Sequence, residues 1–229
     1  MASTFLHLTN RLLRKVNEVE IPEADFSNTR GVQTLAKDAI IDSISQINQQ
    51  RFEWPFNAAL HTQQLAVGQE EYSFPEFFKI ADWTSFQIQK NDSLGVSHKN
   101  LRFIDRDEYT ARFKDTDDDS GASGVSCPDF VFPSHGNGYG VSRSPDQAYS
   151  LQFKYFMTQS ALADYTDVSR IPTPYDNVIL DGALFYLYMY RGNAESAGII
   201  SQVFRNGLKS MQHILLPDFD QLHDTRVRR

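Results

Sequence analysis

The chain has 229 residues, of which 41% are hydrophobic and 22% charged, so it can bury the core of one large domain or of a domain that carries an insertion. Its net charge is −7, and its basic residues cluster only at the C-terminus, at Arg226, Arg228 and Arg229. Proteins that bind DNA through its phosphates normally have a basic face. The composition therefore argues against specific nucleic-acid binding.

The sequence also excludes several kinds of site and location. The single cysteine, Cys127, excludes an intramolecular disulfide and every multi-cysteine zinc site. The N-terminus has basic residues after its apolar ones and no cleavage-site pattern, unlike a signal peptide. The longest apolar run, residues 178–190, contains Asp181 and Gly182 and is too short to cross a bilayer. We expect a soluble protein, made in the cytoplasm, that has no membrane partner.

Two helices are predicted near the N-terminus. Apolar residues recur at steps of three and four from Phe5 to Val19, and Pro22 then ends the pattern. Residues 32–50 have a broad apolar face, and their opposite face is polar and includes Asp38 and Asp42.

Two more helices are predicted near the C-terminus. One follows Pro174 and ends before Gly192, and the next begins at Asn193, a typical N-cap, and continues to Leu215. Their short connection predicts an antiparallel helical hairpin. The first helix of this hairpin is apolar or aromatic nearly all round, so it is either deeply buried or part of a subunit interface. The candidate interface residues are Tyr186, Tyr188 and Tyr190.

Between the helix pairs the pattern changes to strands and turns. Alternating residues predict strands at 83–89 and 149–157, with shorter candidates at 60–67, 101–104 and 130–132. Asn91-Asp92 and the glycine-containing segments 121–124 and 136–138 are typical of turns. The predicted fold class is α+β. A helical core of residues 1–56 and 170–216 carries an inserted antiparallel β region, residues 57–169, and residues 217–229 form a C-terminal tail.

No pattern in the sequence predicts catalysis, a cofactor or a metal. The six histidines are scattered, and neither HExxH nor GxSxG occurs. The segment from Asp115 to Gly121 resembles the first half of a calcium loop, but Ser120 and Ser126 stand where that loop requires Gly and Glu. Gly136, Gly138 and Gly140 open no helix, so we interpret them as the tip of a flexible or hairpin loop rather than as a phosphate site.

Several segments together resemble a known family. They are residues 54–57 (WPFN), 72–78 (YSFPEFF), 101–109 (LRFIDRDEY), the strand at 149–155, and the Ile171-Pro172 turn into the helical hairpin. In this order they are similar to the head-to-tail adaptor proteins, or tail tubular protein A, of short-tailed bacteriophages. The resemblance covers about residues 12–216.

The resemblance implies a non-enzymatic virion protein at the portal vertex. Its subunits would form a ring, by expectation a dodecamer, between the portal protein and the tail nozzle protein, with DNA only as passing cargo during ejection. The helical core would form the ring and the β region would face the nozzle. The C-terminal tail would reach the portal, and its candidate contact residues are Asp218, Phe219, Arg226, Arg228 and Arg229.

Two alternatives remain open at the level of sequence. Another virion part, such as a head-completion or tail-tube subunit, has an overlapping fold class. A tail-associated glycan hydrolase would need paired carboxylates, for which Asp105, Asp107 and Glu108 are available. Strand alternation would place these three acids on different faces, which disfavours the hydrolase.

Overall fold

The computed structural model describes residues 3–51, 53–92, 95–114 and 125–216. The chain divides into a helical unit, made of the residues up to Asn57 and those from Gln159 onwards, and a β unit, Ala58–Thr158. The predicted α+β fold class is confirmed. The helices are α1 (Phe5–Lys15), α2 (Val32–Gln50), α3 (Arg106–Arg112), α4 (Asp176–Tyr190) and α5 (Ala194–Leu215).

In the helical unit, α4 packs against α1, α2 and α5. From Val178 to Leu187 it is apolar or aromatic except at Asp181, and α1 and α2 cover it with their own apolar faces. Lys15 Nζ on α1 lies 3.0 Å from an Asp181 carboxylate oxygen on α4, and Arg11 pairs with Asp176 in the same way at 3.4 Å. These ion pairs hold α1 in register along α4.

The first helix ends earlier than predicted. Asn17 has a φ of 57°, and the Glu18 N–H donates to the Leu13 carbonyl at 3.0 Å. A left-handed residue after the last turn is a common helix stop, and asparagine tolerates it. Val19 is consequently outside the helix and 78% exposed. The expectation that helical periodicity extends to this residue is wrong.

The helical unit also includes residues 159–169, which the sequence analysis placed in the β region. The Phe5 N–H donates to the Asp167 carbonyl at 2.7 Å, and the Leu6 N–H donates to the Tyr165 carbonyl at 3.2 Å. Leu162 is buried in the helical core. The segment therefore belongs with the helices because it satisfies the free N–H groups at the start of α1. The boundary between the units lies after Thr158 rather than Ser169.

A close approach of three helices occurs at Gly182 in α4. A β-carbon there would lie 2.3 Å from Ser43 Oγ of α2 and 2.7 Å from the Phe204 ring of α5. The Ser43 hydroxyl already donates to the Ile179 carbonyl at 2.8 Å, so it has little freedom to move. Only glycine fits this position without displacing a neighbour.

We therefore expect Gly182→Ala to lower the free energy of unfolding by about 1–3 kcal/mol, because the cost of overpacking exceeds the gain in helix propensity. Gly198 of α5 is the matched control, since a β-carbon there meets nothing within 4 Å. Gly198→Ala should raise the free energy of unfolding by about 0.4–1 kcal/mol. Urea unfolding followed by circular dichroism measures both changes. A stabilising Gly182→Ala would show that α4 has room to move away from its neighbours.

The β unit contains two sheets. Its strands are β1 (Ala58–Gln64), β2 (Glu71–Ser73), β3 (Phe78–Ala81), β4 (Gln87–Ile88), β5 (Lys99–Asn100), β6 (Arg102–Phe103), β7 (Phe130–Pro133), β8 (Gly138–Ser142) and β9 (Ser150–Met157). In the first sheet β9 pairs antiparallel with β1, β3 and β4, and β4 pairs with β5. The second has the order β2-β8-β7-β6, in which only the β6–β7 pair is parallel.

The structure corrects three expectations in this unit. Residues 83–89 are not one strand, because Trp83–Ser85 is a 3₁₀ turn capped by Asp82 and only Gln87–Ile88 pairs. A short helix, α3, follows residues 101–104 and was not predicted. Gly138 and Gly140 lie in the buried strand β8, and only Gly136 belongs to the turn before it.

Candidate assembly surfaces

The three candidate interface tyrosines of α4 differ in their surroundings. Tyr186 and Tyr188 are both half-buried and pack on the helical core, so each is partly used within the subunit. Tyr186 and Tyr190 lie one turn apart and face α2, where their hydroxyls donate to Gln46 Oε1 and Asp42 Oδ2 respectively. Tyr190 is exposed, and its ring centroid lies 6.3 Å from that of Tyr186. This pair forms the aromatic edge of an open surface.

The open surface is a polar groove of about 520 Å³ along α2 and α4, lined by Asp42, Ser45, Gln46, Gln49, Gln50 and Tyr186. Asp38 extends it along α2, because it lies one turn before Asp42 on the side opposite the buried face. Burial raises the pKa of Tyr190, and its hydrogen bond to Asp42 raises it further. Burial and the Asp42 charge raise the pKa of Tyr186. Both hydroxyls therefore stay protonated at neutral pH and donate hydrogen bonds.

Helix α5 presents a second open surface. Its buried residues, Ala197, Phe204, Leu208 and Met211, lie on one side and pack on α4. The apolar residues Ile199, Val203 and Ile214 are nevertheless exposed, two of them by about two thirds (65% and 66%). They share a second stripe with the small residues Ser196 and Ser210 at helical spacing. Arg205 and Lys209 are exposed one turn apart on the same helix.

The acids considered for glycan hydrolysis have structural roles. Asp105 is the N-cap of α3, and its carboxylate accepts from the Arg106 N–H at 2.9 Å. Asp107 and Glu108 occupy the first turn, where negative charge stabilises a helix, and Glu108 pairs with Arg112 at 2.6 Å. The three acids lie at the start of one short helix rather than on a strand. The prediction that strand alternation separates these acids was wrong, although it also disfavoured a glycan hydrolase.

The glycines at 138 and 140 serve packing rather than phosphate binding. A β-carbon on Gly140 would lie 2.3 Å from the Phe132 ring, and one on Gly138 would lie 2.5 Å from the Tyr72 carbonyl oxygen. Phe132 in turn stacks on Tyr109 of α3, with centroids 3.8 Å apart. These contacts explain why the second sheet requires glycine here.

Some predicted features lie outside the described residues. They are the loop from Asp115 to Gly121 and the tail residues Asp218, Phe219, Arg226, Arg228 and Arg229. Within residues 3–51, 53–92, 95–114 and 125–216, His, Cys, Asp and Glu side chains form no group of three or more suited to a metal ion. Across those same residues, no helix combines the length and apolar character needed to cross a membrane.

Comparison with known protein families identifies the family of this chain. Residues 3–228 match the family model described as SU10 adaptor protein, so the match spans both units. The chain belongs to the SU10 adaptor protein family. The resemblance to phage head-to-tail adaptors is thereby confirmed. The SU10 adaptor family consists of structural phage proteins rather than enzymes, which makes the chain a virion component. No curated protein matches the chain significantly.

Proposed function

We propose that this chain is the subunit of a closed ring, by expectation of twelve copies, that connects the portal to the tail nozzle at the portal vertex. The ring would line the channel through which DNA is ejected. The observation that carries the proposal is the family match over residues 3–228, which includes the helices and the sheets together. In this role the chain has no catalytic residue, cofactor or metal, and it works through its surfaces alone.

The two open surfaces of the helical unit support a ring. A closed ring of identical subunits uses heterologous contacts, in which each copy presents two different patches. The α2–α4 groove is one such patch, acidic and aromatic, and α5 offers another, with basic side chains on one flank and exposed apolar side chains on a different flank.

The charge of the chain fits a channel for passing DNA. A net charge of −7 disfavours tight phosphate binding, and DNA must slide through an ejection channel without being held. We assign the helical core to the ring and the β unit to the side that meets the nozzle. We assign the tail, residues 217–229, to the portal. A second copy of the chain, the portal and the nozzle protein are then its three partners.

The particle itself provides the decisive test. Electron cryomicroscopy of purified virions, with the chain built into the map, should show a ring of this fold between portal and nozzle. A position at another head opening or along a tail tube would replace the proposal by the head-completion or tail-tube alternative. Purified protein with no activity on host-envelope glycans is expected alongside this result.

The tail assignment makes a separate prediction. Deleting residues 217–229 should leave the fold intact, because α5 ends at Leu215 and the described core lies before that point. Capture by the portal should fall by at least about tenfold, since a polar segment of this length binds through many weak contacts that are lost together. Co-sedimentation with purified portal measures the loss. A truncated chain that binds portal and supports infectious particles as well as the full chain would contradict the assignment.

A further inference from the structure

Among the charged residues of the helical unit that belong to none of its ion pairs are two sets of like charges spaced by four residues on one helix. Its ion pairs, as far as the chain is described, join Arg11, Lys15 and Arg191 to carboxylates on other elements, and Arg14 to Glu20. Asp38 and Asp42 on α2 belong to none of them, and neither do Arg205 and Lys209 on α5. Each of these pairs is spaced by four residues, so each presents two like charges side by side on its helix.

The two acidic residues of α2 and the two basic residues of α5 have the same spacing and opposite charges. Residues four apart in a helix lie about one turn, or 6 Å, apart along its axis. Two helices that pack side by side can therefore bring both basic residues opposite both acidic ones. Like charges at this spacing repel each other, and an oppositely charged partner helix would relieve the repulsion on both sides.

The neighbours of the charges are complementary as well. Beside Asp42 lie the Tyr186 and Tyr190 rings, which are flat and amphipathic surfaces for a guanidinium or an aliphatic side chain. On α5, Arg205 and Lys209 are exposed on a different flank of the helix from the apolar residues Ile199 and Val203, so a polar surface carries the two basic side chains and suits the polar groove. Arginine with tyrosine is a common combination at the centre of protein interfaces.

We infer that the occupant of the α2–α4 groove is a second copy of this chain, whose α5 places Arg205 and Lys209 against Asp38 and Asp42. The contact is heterologous, because the groove of one copy receives α5 of the next and its own α5 remains free for a third. This contact would join neighbouring subunits of the proposed ring, so the inference rests on the proposed function.

Charge reversal tests the pairing directly. In the presence of portal, Asp38→Lys/Asp42→Lys should reduce ring formation at least about tenfold, and Arg205→Glu/Lys209→Glu should do the same. The variant with all four changes should recover to within about threefold of the wild type, because the pairing is restored with its polarity exchanged. Equal amounts of the two double variants should also form mixed rings in which the variants alternate. Native mass spectrometry counts the copies and their composition.

Two controls separate pairing from other effects. Glu23→Lys/Asp25→Lys changes the net charge by the same amount as the α2 variant, at exposed residues outside the groove, and should leave ring formation unchanged. Asp38→Lys alone keeps the Asp42–Tyr190 hydrogen bond, so a loss of assembly with this variant does not come from breaking that bond. Circular dichroism of each variant confirms the fold.

The outcomes distinguish the inference from the proposed function. Wild-type protein that forms no ring with portal counts against the function. In that case the two double variants are mixed without portal at high concentration and low salt, where sedimentation should show association of the mixture and of neither variant alone. If the two double variants form rings as well as the wild type, the pairing is overturned. The pairing is also overturned if the variant with all four changes, or the mixture of the two double variants, fails to form rings.

Discussion

Ile44→Asp is expected to lower the free energy of unfolding of the helical unit by about 4 kcal/mol or more. Ile44 is 5% exposed and lies on the face of α2 that packs into the core with Ile40 and Ile47. The substitution removes apolar contacts and places a carboxylate in an apolar interior without a partner. Changes of this size arise from a short list of mechanisms, of which an unpaired buried charge is one.

The unfolding caused by Ile44→Asp should be measured in the helical unit itself. Because the chain divides into two units, a single global transition does not have to describe its unfolding. Hydrogen exchange of peptides from α2 and α4, followed by mass spectrometry, reports the helical unit directly. Ser45→Asp is the matched control, since Ser45 is the next residue along α2 and is exposed. Its effect should stay within about 0.5–1 kcal/mol. Similar exchange in the two variants would refute the packing of α2 into this core.

The helices could be predicted from the sequence because their signals are local. The apolar face of residues 32–50 repeats over five turns, and α2 has these bounds. The Asn193 cap was also predicted, and its side chain accepts from the Ser196 N–H at 3.1 Å. Such periodicity and capping depend on neighbouring residues only. The end of α1 was missed because a left-handed asparagine leaves no mark in an apolar pattern.

The β unit was less predictable because its pattern depends on distant residues. Strand β8 is Gly138–Ser142, and a sequence rich in glycine reads as a turn. Its glycines are required only because Phe132 and Tyr72 cross them, and neither residue is a neighbour in sequence. Likewise, residues 159–169 join the helices through contacts with Phe5 and Leu6 near the opposite end of the chain.

The candidate surfaces were predictable in part. The aromatic character of α4 indicated Tyr186, Tyr188 and Tyr190, but the sequence did not show that Tyr186 and Tyr190 face α2 or that Tyr186 and Tyr188 pack on the core. The like charges at 38 and 42 and at 205 and 209 are visible in the sequence. Their significance depends on the absence of ion-pair partners within the described part of the subunit, which only the fold reveals.

In the β unit, Phe153→Ala is expected to lower the free energy of unfolding by about 3–5 kcal/mol. Phe153 is fully buried on β9, the strand to which β1, β3 and β4 all pair. Its ring stacks on Phe86 with centroids 4.4 Å apart and meets Tyr139 edge to face at 5.2 Å. Truncation removes these contacts and leaves a cavity that rigid rings on several sides cannot fill.

The test compares this variant with Leu60→Ala, which removes a large apolar side chain from the neighbouring strand β1 at a position that is 69% exposed. Leu60→Ala should change the free energy of unfolding by about 0.5 kcal/mol or less. Some backbone amides of β9 exchange their hydrogens only when the β unit opens. For these amides, Phe153→Ala should accelerate hydrogen exchange at least about a hundredfold. Far smaller acceleration, or equal acceleration by the two variants, would mean that the pairing of β9, rather than the aromatic cluster around Phe153, provides most of the stability of this sheet.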